Sequence, residues 1–304
     1  MRSESVLLVG GAGFIGQALA RRLAAAGVAV QVLSRRVEPG LRAGIEYHRG
    51  CQSDAAVVAP LLARCALVVH LASATTPGRS AHVPQLEVTE NLVPLAGFLE
   101  ALAEAGPRRV VFLSSGGAIY GNPAVLPASE EQPPRPLSYH AAGKAAAEDF
   151  FRAWAQRAGA ALAILRPSNV YGPGQPLQAG FGFVRTVLER ARAGQAVDVW
   201  GDGRQVRDFL YIDDLVDACL RLLAAPEVAG TFNAGAGVGT TLLDLVRLAE
   251  QVTGRSIPVT RHPGRGIDVD AIWLDSSRLH AATGWCAHTS LADGIARTWD
   301  ALAH

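Results

Sequence analysis

Cysteine is scarce and unpaired in this chain: Cys51, Cys65, Cys219 and Cys286 are the only four in 304 residues, and no two form C-x-x-C. That spacing gives no support to zinc or to thioredoxin-like redox chemistry, so reduced thiols and no metal site are expected. No apolar run reaches the roughly 18 residues of a membrane span. The opening apolar stretch is broken by glycines and followed by Arg21-Arg22 rather than a small-residue cleavage site, so it is not expected to be a secretory signal. The expected compartment is therefore cytoplasmic. A net charge of +1 with a pI near 7.8 provides no overall field to recruit nucleic acid or a membrane surface. The arginine pairs Arg35-Arg36 and Arg108-Arg109 read as solvated strand ends. There are no internal repeats and no low-complexity tracts.

What is present suits a globular enzyme-sized chain, with 49% hydrophobic and 18% charged residues. The most informative stretch is Val6-Leu7-Leu8-Val9-Gly10-Gly11-Ala12-Gly13-Phe14-Ile15-Gly16. Four apolar residues predict a buried strand, and Phe14, Ile15, Leu19 and Leu23 then recur at helical spacing. Strand, glycine turn and helix in this order form a site for a pyrophosphate: glycine permits the tight turn and the close approach, and the helix N-terminus offers unpaired N–H groups.

Further apolar runs at Val28–Leu33, Ala66–Ala72, Arg109–Ser115 and Leu162–Pro167 alternate with helical patterns over Val88–Ala105 and Tyr139–Ala158. Such alternation predicts βαβ units and an α/β fold with a doubly wound parallel sheet. The proline-rich stretch Asn122–Leu137 reads as a surface loop. Beyond Tyr171 the pattern becomes irregular, so a dinucleotide-binding domain over 1–170, with part of 205–235, is expected beside a smaller lobe over 171–204 and 236–304. His70, inside an apolar strand, reads as a buried structural histidine. Ser34, Arg35 and Arg36 end the second strand without an acid, a composition suited to a 2′-phosphate, and NADP(H) is expected over NAD(H).

Six motifs in fixed order resemble the extended short-chain dehydrogenase/reductases of the NAD-dependent epimerase/dehydratase family, the UDP-glucose 4-epimerase-like members above all. They are the glycine loop, His70-Leu71-Ala72-Ser73, Asn91, Leu113-Ser114-Ser115-Gly116-Gly117-Ala118-Ile119-Tyr120-Gly121, Leu165-Arg166-Pro167-Ser168-Asn169-Val170-Tyr171-Gly172-Pro173-Gly174, and Gly201-Asp202-Gly203-Arg204-Gln205-Val206-Arg207-Asp208-Phe209. The resemblance implies a Rossmann domain with a C-terminal lobe closing over a nucleotide sugar. It implies cofactor contacts at Gly10, Gly13, Phe14, Ile15, Gly16, Leu71, Ala72, Ser73, Lys144 and Pro167. It also implies substrate contacts at Asn169, Arg207, Arg265 and Asp268, and a homodimer through the helices 90–105 and 139–158.

The catalytic pattern departs from the family. Relatives carry Tyr-x-x-x-Lys, in which a phenol beside an ammonium exchanges a proton with a sugar oxygen. Here His140 stands four residues before Lys144, and Tyr139 lies one place earlier. A five-residue separation turns Tyr139 about 140° away from Lys144, whereas His140 shares its face. His140 and Lys144 are therefore the expected catalytic pair, with Ser115 as the polarising hydroxyl and Tyr139 the other candidate. Gly116 occupies the position of the usual hydroxyl, Gly143 that of a common serine, and Cys51 that of an adenine-binding aspartate. The resulting expectation is a nucleotide-sugar epimerase or dehydratase acting by hydride transfer at C4. An NADPH-dependent 4-ketosugar reductase and a catalytically degenerate cofactor-binding protein are the alternatives.

Overall fold

The protein is described by a computed structural model covering residues 5–106, 108–178, 180–266 and 268–303. Strands β1 (Val6–Val9), β2 (Val30–Ser34), β3 (Gly40–Arg42), β4 (Ile45–Arg49), β5 (Leu67–His70), β6 (Arg109–Leu113) and β7 (Leu162–Pro167) follow in order. Short strands β8 (Asn169–Tyr171), β9 (Val197–Trp200), β10 (Val206–Arg207) and β11 (Phe209–Tyr211) precede β12 (Gly230–Ala234), and β13 (Thr240–Thr241) and β14 (Val259–His262) complete the set.

The main sheet has eight strands in the order β12-β7-β6-β5-β1-β2-β4-β3. All its pairings are parallel except β3 with β4, an antiparallel edge hairpin that the apolar pattern does not announce because β3 is fully exposed. Strand order reverses at β1, between β5 and β2, and in such sheets the crevice beyond the carboxyl ends at that point receives ligands.

Alternate residues on each strand face opposite cores. Leu8, Val111, Leu113, Ala163 and Leu165 enter one, together with Leu19 and Leu23 of the first helix and Leu215 and Leu222 of the helix Ile212–Ala224. Leu7, Val9, Val110, Phe112 and Ile164 enter the other, with Leu61, Phe98, Phe151 and Trp154. This period of two, buried on both faces, explains why the strands read as continuous apolar runs. The first core continues through Ile212–Ala224 to Val187, Leu188, Leu245 and Trp285 of the C-terminal half. Beyond the main sheet, β8 pairs with β11, β9 with β14 and β10 with β13. No helix among the described residues is long and apolar enough to cross a membrane.

Two local features differ from the sequence expectation. Arg109 is not a solvated strand end: it is buried, and its Nη2 donates to Leu222 O and Ala225 O at 3.2 and 3.3 Å. The guanidinium thereby satisfies carbonyls left open at the end of Ile212–Ala224, where a cation is favoured. The helical stretch from Val88 is not one α-helix either, because Val88–Leu92 forms a π-turn before the α-helix Val93–Glu104. Pro94, lacking an N–H, cannot bond back to residue 90 and so interrupts the α ladder there.

The helix Tyr139–Ala158 begins where Ser138 accepts a hydrogen bond from Ala141 N and ends at Gly159 in the left-handed conformation, φ 59°. Its anchor is Glu148, completely buried. Arg166 of β7 donates to both carboxylate oxygens at 2.9 and 2.6 Å, Arg152 to one at 2.7 Å, and Ser114 Oγ to the other at 2.5 Å. Arg166 also donates to Tyr120 Oη at 2.8 Å, which in turn donates to Asn233 of β12 at 2.7 Å. Burial alone would lift the Glu148 carboxyl, but Arg166, Ser114 and Arg152 outweigh it and hold the group below its usual range. Glu148→Ala strands buried Arg166 without its counter-ion and is expected to lower stability by about 3–5 kcal/mol in urea titrations. A loss below about 1 kcal/mol would show that the network carries no net stabilisation.

Candidate active site

The glycine loop closes the carboxyl end of β1. Gly10 has φ 80°, and a Cβ there would lie 2.6 Å from Ala72 Cα, so the loop packs directly on the chain leaving β5. A Cβ on Gly16 would lie 2.5 Å from Gly11 Cα, which fixes the helix Phe14–Ala25 against the turn. Gly13 is different. Its φ is −75°, and a Cβ would meet nothing nearer than Gly10 O at 3.5 Å, an ordinary contact. Nothing inside the chain requires glycine at this exposed position, but an approaching pyrophosphate would. The helix it opens has no side-chain cap and no acid in its first turn, so its N–H groups are offered to an anion. Phe14 and Ile15 are half-buried against the first core. These residues fit a dinucleotide.

Ser34, Arg35 and Arg36 leave β2 beside this loop, since Gly10 N donates to Leu33 O at 2.8 Å. Both arginines are exposed and neither forms an ion pair among the described residues. Cys51 stands at the end of β4, where Gly50 N donates to Ser34 O at 3.1 Å. On the other side Leu71 N donates to Val9 O at 2.8 Å, which sets Leu71, Ala72 and Ser73 beside the glycine loop. Pro167 ends β7, opposite Ala234.

His140 and Lys144 line one cleft with Ala72, Ser73, His70, Glu87, Asn91 and Phe112. Lys144 Nζ donates to Leu113 O at 3.0 Å and stands 5.2 Å above the Phe112 ring. Burial pulls its ammonium down to about 8 despite the support of Glu87 and Glu148. His140 is 8% exposed; its Nδ1 lies 3.2 Å from Thr75 Oγ1 and 3.6 Å from Glu87 Oε1. Burial opposes ionisation of Glu87, but His140, Ser80 and Thr75 prevail and bring the carboxyl down to about 2. Tyr139, by contrast, is 47% exposed and does not line this cleft.

His70 is held among Phe98, Phe112 and Phe151, with Nε2 2.6 Å from Gln52 Oε1. Burial and then the Lys144 charge push its pKa to about 3, so the ring is a neutral structural group. Ser115 is half-buried at the start of the short helix Gly116–Ile119. A Cβ at Gly116 would lie 2.5 Å from Leu274 Cδ1 and 2.7 Å from Arg166 O, so this packing leaves no room for the usual hydroxyl there.

A second group of residues gathers in the C-terminal half. Register in β8 and β11 sets Asn169 opposite Phe209, and Asn169 Nδ2 donates to Asp208 O at 3.0 Å. Half-buried Arg207 donates only to Val206 O among the described residues, at 2.9 Å. Burial lowers its proton affinity, while Asp268 and Asp270 raise it. A guanidinium with most of its five donors unused is suited to phosphate oxygens. Arg265 is already engaged with Asp268 at 2.9 and 3.1 Å and lies 4.4 Å from the centre of the Trp200 ring, which itself stacks on His262. Ile267, between Arg265 and Asp268, lies outside the described residues. Glu87, Thr75 and Trp200 were not singled out by sequence; only the unusual Gly143 gave a signal, because a Cβ there would sit 2.9 Å from Glu87 Oε2.

Comparison with known proteins agrees with this arrangement. Residues 6–235 match the model of the NAD dependent epimerase/dehydratase family. The chain is 34% identical to a UDP-glucose 4-epimerase of Mycolicibacterium smegmatis, over 96% of each chain. It is 32% identical to a UDP-glucose 4-epimerase of Thermus thermophilus in complex with NAD, with a TM-score of 0.91, covering 98% of this chain and 99% of that one. A UDP-glucose 4-epimerase of Thermotoga maritima solved with UDP-glucose is 30% identical, with a TM-score of 0.91 over 98% of both chains.

Gly13→Ala and Gly16→Ala separate the two kinds of glycine. Gly13→Ala is expected to keep the melting temperature while weakening NAD binding at least tenfold by calorimetry. Gly16→Ala, forced against Gly11, is expected to lose about 1–3 kcal/mol of stability. Equal melting temperatures for the two variants would refute the assignment.

Proposed function

Because the chain belongs to the NAD-dependent epimerase/dehydratase family, we propose that it interconverts nucleotide-activated hexoses epimeric at C4, with His140 as the acid/base. The observation that carries this reading is the shared cleft: His140 and Lys144 form one wall, Ala72 and Ser73 another, at the carboxyl end of β5 beside the glycine loop. A bound nicotinamide supplies the hydride acceptor and donor. Gly10, Gly13 and the N-terminus of Phe14–Ala25 hold the pyrophosphate, and Lys144 holds the cofactor at the cleft. Nε2 of His140 takes the proton of the sugar 4-hydroxyl as C4 is oxidised and returns it when the ketone is reduced. Ser115 polarises the same oxygen. Arg207 grips the substrate diphosphate with Asn169 beside it, and Arg265 with Asp268 secures the nucleotide. Uridine diphosphate hexoses are the first substrates to test, given the relatives' own.

A second reading, net reduction of a 4-ketosugar by NADPH, is favoured by Ser34, Arg35 and Arg36 standing without an acid at the end of β2. Two such cations beside a ribose suit a 2′-phosphate. A homodimer is supported by the exposed apolar side chains Val88, Val93 and Phe150 on the elements that pair in the family's dimers.

Incubating the protein with UDP-glucose or UDP-galactose and NAD, and resolving the products chromatographically, tests the main reading. His140→Ala is expected to cost on the order of 10² to 10⁴ in turnover with dinucleotide affinity nearly unchanged. Full activity in His140→Ala, or its loss in Tyr139→Phe instead, would overturn the role of His140. For the cofactor, replacing Arg35 and Arg36 together by alanine is expected to weaken NADPH by tens to hundreds of fold and leave NADH nearly unaffected. Native protein that prefers NADH in calorimetry would end the phosphate assignment.

A further inference from the structure

Beside His140 the lining of the cleft holds a carboxylate that the residue pattern of the helix does not contain. Glu87 ends the short turn Gln85–Glu87, 4% exposed, and its Oε1 is buried without a hydrogen-bond partner. Nδ1 of the His140 ring lies 3.6 Å from that oxygen. Oε2 accepts from Asn91 Nδ2 at 2.8 Å, and Asn91 cannot turn over, because its Oδ1 accepts from Ala74 N at 2.8 Å. Asn91 Nδ2 also donates to Thr75 Oγ1 at 2.8 Å, which occupies an acceptor site of that hydroxyl. Thr75 Oγ1 also lies 3.2 Å from His140 Nδ1, and its second lone pair is free to accept an Nδ1–H. Gly143, one turn beyond His140, leaves the space that Glu87 Oε2 fills.

We propose that Glu87 is the positioning residue of His140: its carboxylate fixes the Nδ1–H tautomer, so that Nε2 is the nitrogen that takes the proton, and it balances the charge of the imidazolium formed. The inference rests on the reading of His140 as acid/base. An ionised carboxylate only accepts, so hydrogen on the Nδ1 beside it is the favoured arrangement. Nε2 has no hydrogen-bond partner among the described residues, and His140 lines the cleft. When the 4-hydroxyl gives its proton to Nε2, the O–H bond breaks, the N–H bond forms, and the positive charge appears beside Glu87. His70, on β5, is neutral and adds no charge; Arg79 and Glu90, on the neighbouring turn and the π-turn, are paired with each other at 2.9 Å. Glu87 is therefore the anion facing the ring.

Two variants and one spectrum test this. In ¹⁵N-histidine-labelled protein, with the His140 signals assigned by their loss in His140→Phe, the neutral ring is expected to be protonated at Nδ1. In Glu87→Gln the amide oxygen must face the fixed Asn91 donor, which turns the amide NH2 toward His140. The ring is then expected to switch to the Nε2–H tautomer, with its pKa lowered by about 1–3 units. Where nucleotide-sugar turnover is measurable, kcat is expected to fall on the order of 10²-fold or more with KM nearly constant. Gly143→Ala, which retains both side chains but crowds the Glu87 carboxylate away, is expected to lower the His140 pKa in the same direction. An Nε2–H tautomer in the native protein, or a His140 pKa identical in all three proteins, would overturn the proposal. The expected tautomer and pKa shifts without turnover on any sugar nucleotide would support the pair and sink the acid/base reading instead.

Discussion

Glu148 is the fixed point from which the cleft is laid out. A fully buried carboxylate is tolerable only when its lone pairs are filled, and here two arginines and a serine fill them. Those partners come from β7, from the turn after β6 and from the helix itself, so satisfying one charge clamps the helix Tyr139–Ala158 to the carboxyl end of the sheet. Lys144 is one turn earlier on the same face, and His140 another turn earlier. Their placement in the cleft is thus inherited from an electrostatic requirement further along the helix.

The same clamp extends across the molecule. Arg166 Nη1 donates to Tyr120, Tyr120 reaches Asn233, and Asn233 Nδ2 donates to Ala128 O at 2.9 Å and Asp275 O at 3.2 Å. Buried Asp208 does comparable work next door, accepting from the backbone N–H groups of Ala236, Gly237 and Leu274 and from Ser168 Oγ. Arg207 follows directly from this: its neighbour is locked into the fold, so its own guanidinium is presented without needing partners to hold it.

How much of this was legible in the sequence depends on how far apart the cooperating residues lie. The buried strands were readable because both faces of the sheet are covered, which makes runs of consecutive residues apolar, and Tyr139–Ala158 was readable from its helical pattern. The β3 hairpin and the two-residue strands of the C-terminal half were not, since exposed or very short strands leave no periodic trace. Arg109 misled because a cation capping a remote helix end looks, in sequence, like a cation in water. The π-turn at Val88–Leu92 depends on one proline inside an otherwise helical pattern. Glu87 was hidden for a plainer reason: it meets His140 across 53 positions, and sequence spacing carries no information on such a contact. Gly143 was visible as an oddity, a helix-weakening residue in the first turns, but its cause is the carboxylate lying over it.

Replacing a phenol by an imidazole reverses the electrostatics that an acid/base site beside a lysine must provide. A tyrosine gains from the ammonium, because the nearby positive charge stabilises the phenolate and lowers its pKa. A histidine loses from it, because the same charge opposes the imidazolium through which the proton must pass. An anion beside the ring opposes that effect, and it must be buried to act at short range without screening by water. Glu87 satisfies that condition, Gly143 makes the room for it, and Asn91 with Thr75 holds it in place. On the proposed role of His140, the ring, Glu87, Gly143 and Thr75 then answer a single physical requirement from separate points of the chain.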